Sequence, residues 1–416
     1  MNQPLGLFEG FGVELEYMIV RRGDLSVAPV ADRILAAVGG DAASEVELGT
    51  LAWCNELVLH VIELKTNGPA PSLAGLEGEF QAAVGRIRDI LEPLDCRLLP
   101  TAMHPWMDPH HETRLWPHEH GAVYESYDRI FGCQGHGWSN LQSLHMNLPW
   151  KDGDEFGRLH AAIRLVLPIL PALAASSPIV DGRVTGLADS RLAAYRTNQR
   201  RVPIIAGAVI PEPVFSPEEY REKILGAIYR EIAPFDSDGI LQHEWLNSRG
   251  AIARFDRQTI EIRVLDLQEA PPADLAIYAL VVALLKALVE ERWSDYDNHK
   301  RWPVEPLAAI LDDTIRQGGQ ALIRDAAFLE TLGFPEASLL GARELWRRLV
   351  ERLIRSGDLE SDGFVEQWVR RETLAERIVA ALGNEPSRDR IRRVYRMLAD
   401  CLEGGRLFDV GSTADS

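Results

Sequence analysis

The sequence predicts an α+β fold: an antiparallel sheet with packed helices, followed by a helical C-terminal region. Three observations predict it. Short runs over residues 11–17, 57–64, 144–148 and 259–265 read as strands, each pushing polar side chains out between aliphatic ones. Helical patterns separate these runs at irregular intervals, without the βαβα rhythm of a parallel sheet. From about residue 300 the chain turns to amphipathic helices with charges of alternating sign.

Taken in order, the first 70 residues read strand, helix, strand and close on the turn signal Asn67-Gly68-Pro69. Leu76, Phe80, Val84, Ile87 and Leu91 fall at helical spacing, predicting a helix over 73–94. A short strand around 97–102 follows, then a loop over 104–121 rich in Pro, His and acidic residues, and a helix over 124–131. The strand carrying His145 precedes a helix over about 154–176. Residues 181–215 are rich in turns and arginines. Pro217 stands just inside the start of a helix over 217–232. The strand carrying Glu261 leads through Pro271-Pro272 into an apolar helix over 273–291. Further helices are predicted over 307–316, 336–355, 361–382 and 388–402. The domain reading is a sheet domain over 1–299, a helical region over 300–408 packed on it, and a polar tail over 409–416.

With 416 residues, 46% of them hydrophobic, the chain can bury a substantial core. A formal net charge of −18 argues against a general nucleic-acid or anionic-membrane binder. It leaves room for a nucleotide held by local arginines and metal. Cys54, Cys96, Cys133 and Cys401 lie far apart with no C-x-x-C spacing, as expected of thiols in a reducing cytoplasm. No targeting segment is visible. The apolar stretches 163–180 and 275–289 read as buried helices, the first broken by Arg164 and three prolines, the second short for a bilayer. A cytoplasmic location is expected.

The chemistry lies on the polar faces. Glu14 and Glu16 share one face of their strand, about 7 Å apart, and repel each other unless a cation sits nearby. Glu63, the pair His145 and Asn147, and the pair Glu261 and Arg263 repeat the pattern on other strands. Carboxylates, one imidazole and one amide oxygen favour magnesium or manganese over zinc. Arg263 suits the oxygens of a transferring phosphoryl group. There is no G-x-x-x-x-G-K-[ST] run, and the glycines at 132–137 do not match the dinucleotide fingerprint. His110, His111, His118 and His120 lack a third ligand at a known zinc spacing, and a polar lid is the better reading.

Six motifs, in order, are GVELEY at 12–17, IELKTNGP at 62–69, MHPW at 103–106, SLHMNL at 143–148, SSPIVDGRVTGLADSR at 176–191 and TIEIRVLD at 259–266. Together they resemble the glutamate–cysteine ligase family, in particular its carboxylate–amine ligase branch. The resemblance implies a glutamine-synthetase-like sheet funnel over residues 1–299. It implies joining of a small-molecule carboxylate, such as glutamate or another amino acid, to an amine through an acyl phosphate. ATP is the implied co-substrate and magnesium or manganese the implied cofactor. Carried over by motif, Glu14, Glu16, Glu63, His145 and Glu261 surround the metal. Glu261 and Arg263 are the catalytic candidates, and Arg191, Asn147 and His104 the substrate- or nucleotide-binding ones.

Glu56 is a further metal candidate. It lies an odd number of residues from Glu63, so one regular strand would need a bulge to bring them together. Asn147 stands where close relatives often carry a second histidine. Two alternatives stay open: a zinc-dependent hydrolase that needs no ATP, and a non-catalytic relative that binds a ligand without turnover. A guanidino kinase is a distant third. The expected partners are small molecules, with no nucleic acid or membrane, and an oligomer is compatible with the sequence.

Overall fold

The computed structural model describes residues 4–41, 43–360, 364–383, 386–409 and 411. Eight strands form one open antiparallel sheet: β1 (Gly12–Arg21), β2 (Glu45–Leu48), β3 (Leu51–Asn55), β4 (Val61–Thr66), β5 (Cys96–Leu99), β6 (Ser143–Pro149), β7 (Ala251–Arg254) and β8 (Thr259–Asp266). Their order is β2-β3-β4-β1-β6-β8-β7, and β5 pairs with the second half of β1.

β1 is central because its composition lets it be covered on one face and functional on the other. Val13, Leu15, Tyr17 and Ile19 are fully buried in the main core, together with Phe80 and Ile87 of the helix Leu76–Leu91. Alternation sends Glu14 and Glu16 to the opposite face. Beyond Glu16 the polar spacing ends. Met18 and Val20 enter a second core with Leu374, Ile378, Val394, Tyr395 and Leu398, so the helices after residue 300 close over the far end of β1.

The helix Pro271–Val289 is long and apolar enough to cross a membrane, and 78% of it is buried inside the protein. It packs against the helices Gly153–Val166 and Leu76–Leu91. Asp152 fixes the start of Gly153–Val166 by accepting from the amides of Asp154 and Glu155.

Several boundaries differ from the sequence expectation. Residues 57–60 do not extend a strand: Val58 bridges to Leu115, His60 hydrogen-bonds the Ser139 carbonyl, and β4 begins only at Val61. The expected helix over 217–232 is interrupted by a π-helical stretch, Tyr220–Leu225. The helix expected from 336 starts at Ala342. The expected helix over 361–382 is two, Phe364–Arg370 and Leu374–Leu382, separated where Thr373 and Glu376 form a reciprocal capping box. Residues 361–363 and most of the polar tail lie outside the described residues.

Candidate active site

Sheet register assembles the polar face. Glu16 stands opposite Glu63 across β1 and β4, Glu14 opposite His145 across β1 and β6, and Asn147 opposite Glu261 across β6 and β8. Gly12 faces Asn147 so closely that an added Cβ would lie 2.7 Å from the Asn147 Cβ. β8 carries a bulge between Ile262 and Leu265. Its extra residue turns Asp266 to the same face as Glu261, an odd number of positions away.

Two groups of ligand atoms result. Glu14, Glu63 and His145 place one atom each within 4.8 Å of one another, and so do Glu16, Glu56 and Glu63. Glu63 belongs to both. The groups line a cavity of about 500 Å³ that also reaches Arg191, Arg254, Arg257, Glu261 and Arg263. His145 Nδ1 lies 3.0 Å from Glu14, and Ser143 donates to Glu16 from its amide at 2.7 Å and its hydroxyl at 2.8 Å. Asn147 donates to Glu14 Oε1 at 3.0 Å. The Cys54 thiol, opposite Glu63 on β3, donates to it at 2.8 Å.

The electrostatics describe a site with surplus negative charge. Burial and the neighbouring Glu14 charge push the Glu63 carboxyl up to about 7. Burial and the charges of Glu16, Glu63 and Glu14 push Glu56 up as well. Burial also opposes ionisation of Glu14, but the His145 hydrogen bond and the charges of His145, Arg257 and Lys65 outweigh it and hold Glu14 at about 2. A divalent cation is the group that relieves such repulsion, and an oxygen-dominated donor set suits magnesium or manganese. The residues present therefore fit the implied metal.

Glu261 stands apart from both groups. Its oxygens meet Arg254 Nη1 at 2.8 Å and Arg263 Nε at 2.8 Å. Arg191, a candidate for touching substrate, is buried at the cavity wall with its guanidinium engaged: Nε donates to Asp266 at 2.6 Å, and both Nη atoms reach the Arg263 carbonyl. Asp266 thus holds Arg191 in place. Glu56 needs no bulge. It follows the end of β3, and the β3–β4 hairpin pairs Cys54 with Glu63, a register that puts residues an odd number apart on one face.

His104 corrects the expectation. It does not line the cavity: its ring hydrogen-bonds the Leu25 carbonyl and the Trp106 amide, and burial pulls it down to about 4. Of the loop histidines, His120 reaches the cavity, while His111 pairs with Asp108 and His118 packs edge-on against Trp116. Sequence reasoning passed over Lys65, Ser143, Arg254 and Arg257. Lys65 and Ser143 were recoverable, since each lies two residues from a chosen ligand and so shares its face.

Comparison with known proteins follows this geometry. The profile described as "Glutamate-cysteine ligase family 2" matches residues 10–395. An uncharacterized protein of Archaeoglobus fulgidus is 37% identical over 75% of this chain and 80% of its own. A Rubrobacter xylanophilus protein with the provisional name glutamate–cysteine ligase 2-3 is 27% identical over 67% of this chain and 69% of its own. The crystal structure of glutamate–cysteine ligase from Francisella tularensis in complex with AMP aligns with a TM-score of 0.61 at 13% identity, covering 96% of this chain and 89% of that one.

Proposed function

The chain belongs to glutamate-cysteine ligase family 2, and from that premise we propose that it is an ATP-dependent carboxylate–amine ligase working through an acyl phosphate. The observation that carries this reading is the pair of carboxylate groups sharing Glu63 beside the guanidinium groups of Arg254 and Arg263. That pairing serves phosphoryl transfer, in which the protein's work is positioning and charge stabilisation.

Glu14, Glu63 and His145 would hold one magnesium, and Glu16, Glu56 and Glu63 a second. Bound magnesium supplies Lewis-acid neutralisation of phosphate oxygens. Ser143 and Asn147 hold the carboxylates in place from behind. Glu261 aims Arg254 and Arg263 at the cavity, where they balance charge on the moving phosphoryl group. The γ-phosphoryl passes to a carboxylate oxygen and ADP departs. The amine nitrogen then attacks the carbonyl carbon, the carbon–oxygen bond to phosphate breaks, phosphate leaves with the electron pair, and the nitrogen gives up a proton to form the amide.

A second cavity of about 350 Å³, bordered by Gly12, Thr66, Asn67, Pro69, Asn147 and Thr259, meets the first at Glu14, Lys65 and Arg257. It would take the nucleoside end of ATP, with the triphosphate reaching the main cavity past Glu14, Lys65 and Arg257. The structural relative's complex with AMP is in keeping with this.

The test is a screen of carboxylates and amines for phosphate release with Mg-ATP. Turnover that needs both substrates, falling by about 10²–10³-fold in Arg263→Ala with an unchanged circular dichroism spectrum, supports the reading. Undiminished turnover in that variant contradicts it.

A further inference from the structure

The main cavity has a second character besides its charge. Tyr124, Tyr127, Trp138, Tyr195 and Trp245 also line it. Tyr127 lies between the two tryptophans, with ring centroids 5.1 Å from Trp138 and 5.8 Å from Trp245. Phe131 backs Trp138, stacked at 5.7 Å, so the wall is braced from behind. Trp138 and Trp245 are only half-buried, which leaves flat apolar surface facing the cavity. Such a wall offers stacking surface to a flat ring of a bound ligand.

Uncharged polar groups also stand beside it. Asn198, Gln199 and Ser248 line the same cavity. Tyr195 Oη and Gln199 Oε1 are buried with no hydrogen-bond partner among the described residues. Each lysine and arginine lining the cavity already faces a carboxylate. The distances are 2.7 Å for Lys65 to Glu45, 2.6 Å for Arg191 to Asp266, 2.8 Å for Arg254 to Glu261, 3.7 Å for Arg257 to Glu14 and 2.8 Å for Arg263 to Glu261. Arg254 and Arg263 share the one carboxylate Glu261. Charges of both signs reach the wall: Glu56 acts on the Tyr124 hydroxyl and Arg263 on the Tyr127 hydroxyl. The ring faces favour the ammonium group of an amine substrate.

We propose that the amine substrate carries an aromatic ring, or a comparably flat apolar group. The ring lies against Tyr127, Trp138 and Trp245, in the same cavity that the carboxylates line. This rests on the ligase reading above and narrows it away from cysteine as the amine.

The experiment uses the full chain with Mg-ADP, titrated by calorimetry and tryptophan fluorescence with phenethylamine, tyramine, methylamine and cysteine. The two ring amines are expected to bind about tenfold or more tightly than methylamine and cysteine, and Trp138→Ala should erase that preference. Trp245→Ala serves as the second variant should the first fail to fold. Equal or undetectable affinities across the four amines overturn the proposal, as does a preference that survives both substitutions. Failure of the ligase reading is distinguished by Mg-ADP itself, whose binding is measured before any amine is added.

Discussion

At the scale of single residues the account rests on Glu63, the one carboxylate common to both ligand groups. Ser143 acts through Glu16, which shares a ligand group with Glu63 and accepts two hydrogen bonds from Ser143. Ser143→Ala is therefore expected to weaken manganese binding by about 10–100-fold, read by titration, without unfolding the sheet. The convergence of Glu14, Glu16, Glu63 and His145 was legible in the sequence because strand alternation is a strict rule, and all four face one way. Glu56 was harder, since residues 56–63 look like one strand until the turn at 57–60 is seen. His104 was misread because a motif fixes which residues recur and says nothing of whether they touch a ligand. The aromatic wall was not legible, because Tyr124, Trp138 and Trp245 come from separate segments with no shared period.

At the scale of elements, two local devices set the site's shape. The bulge in β8 swings Asp266 onto the functional face, where it anchors Arg191 beneath Arg263. Nothing in TIEIRVLD marks that extra residue, so the face on which Asp266 lies could not be read from the sequence. The second device is Gly12, whose missing side chain lets β1 approach Asn147. Gly12→Ala is expected to cost about 1–3 kcal/mol in chemical denaturation and to loosen the Asn147–Glu14 hydrogen bond. Gly85→Ala is the matched contrast. It lies in the helix Leu76–Leu91 with nothing near its would-be Cβ, and should stabilise by about 0.5–1 kcal/mol. Equal effects from the two would refute the close-approach argument.

At the scale of the whole molecule, the sheet and the later helices form one packed body. Arg377 of the helix Leu374–Leu382 donates to the buried Glu269 at 2.6 Å and to the Phe408 carbonyl at 2.7 Å. Arg377→Met should destabilise by about 3–5 kcal/mol, since it strands a buried carboxylate. A chain ending at residue 299 would uncover Met18, Val20 and Leu99, and it is expected to aggregate. The acidic surplus predicts an unusual pH response. Glu14, held at about 2, adds stability above its unfolded value of about 4.5, and that stability is lost as pH falls toward 2. Glu63, pushed up to about 7, keeps its proton in the folded state, so the metal-free protein loses stability as pH rises from about 4.5 to about 7. Magnesium binds the ionised carboxylates, so the rise in Tm it gives should grow over that same window. Thermal melts with and without magnesium check the sign. The most direct measurement is manganese binding to the nucleotide-free chain, followed by electron paramagnetic resonance. The account predicts two ions per chain in the wild type and neither held tightly in Glu63→Gln. Two tight ions in Glu63→Gln, or none in the wild type, would contradict it.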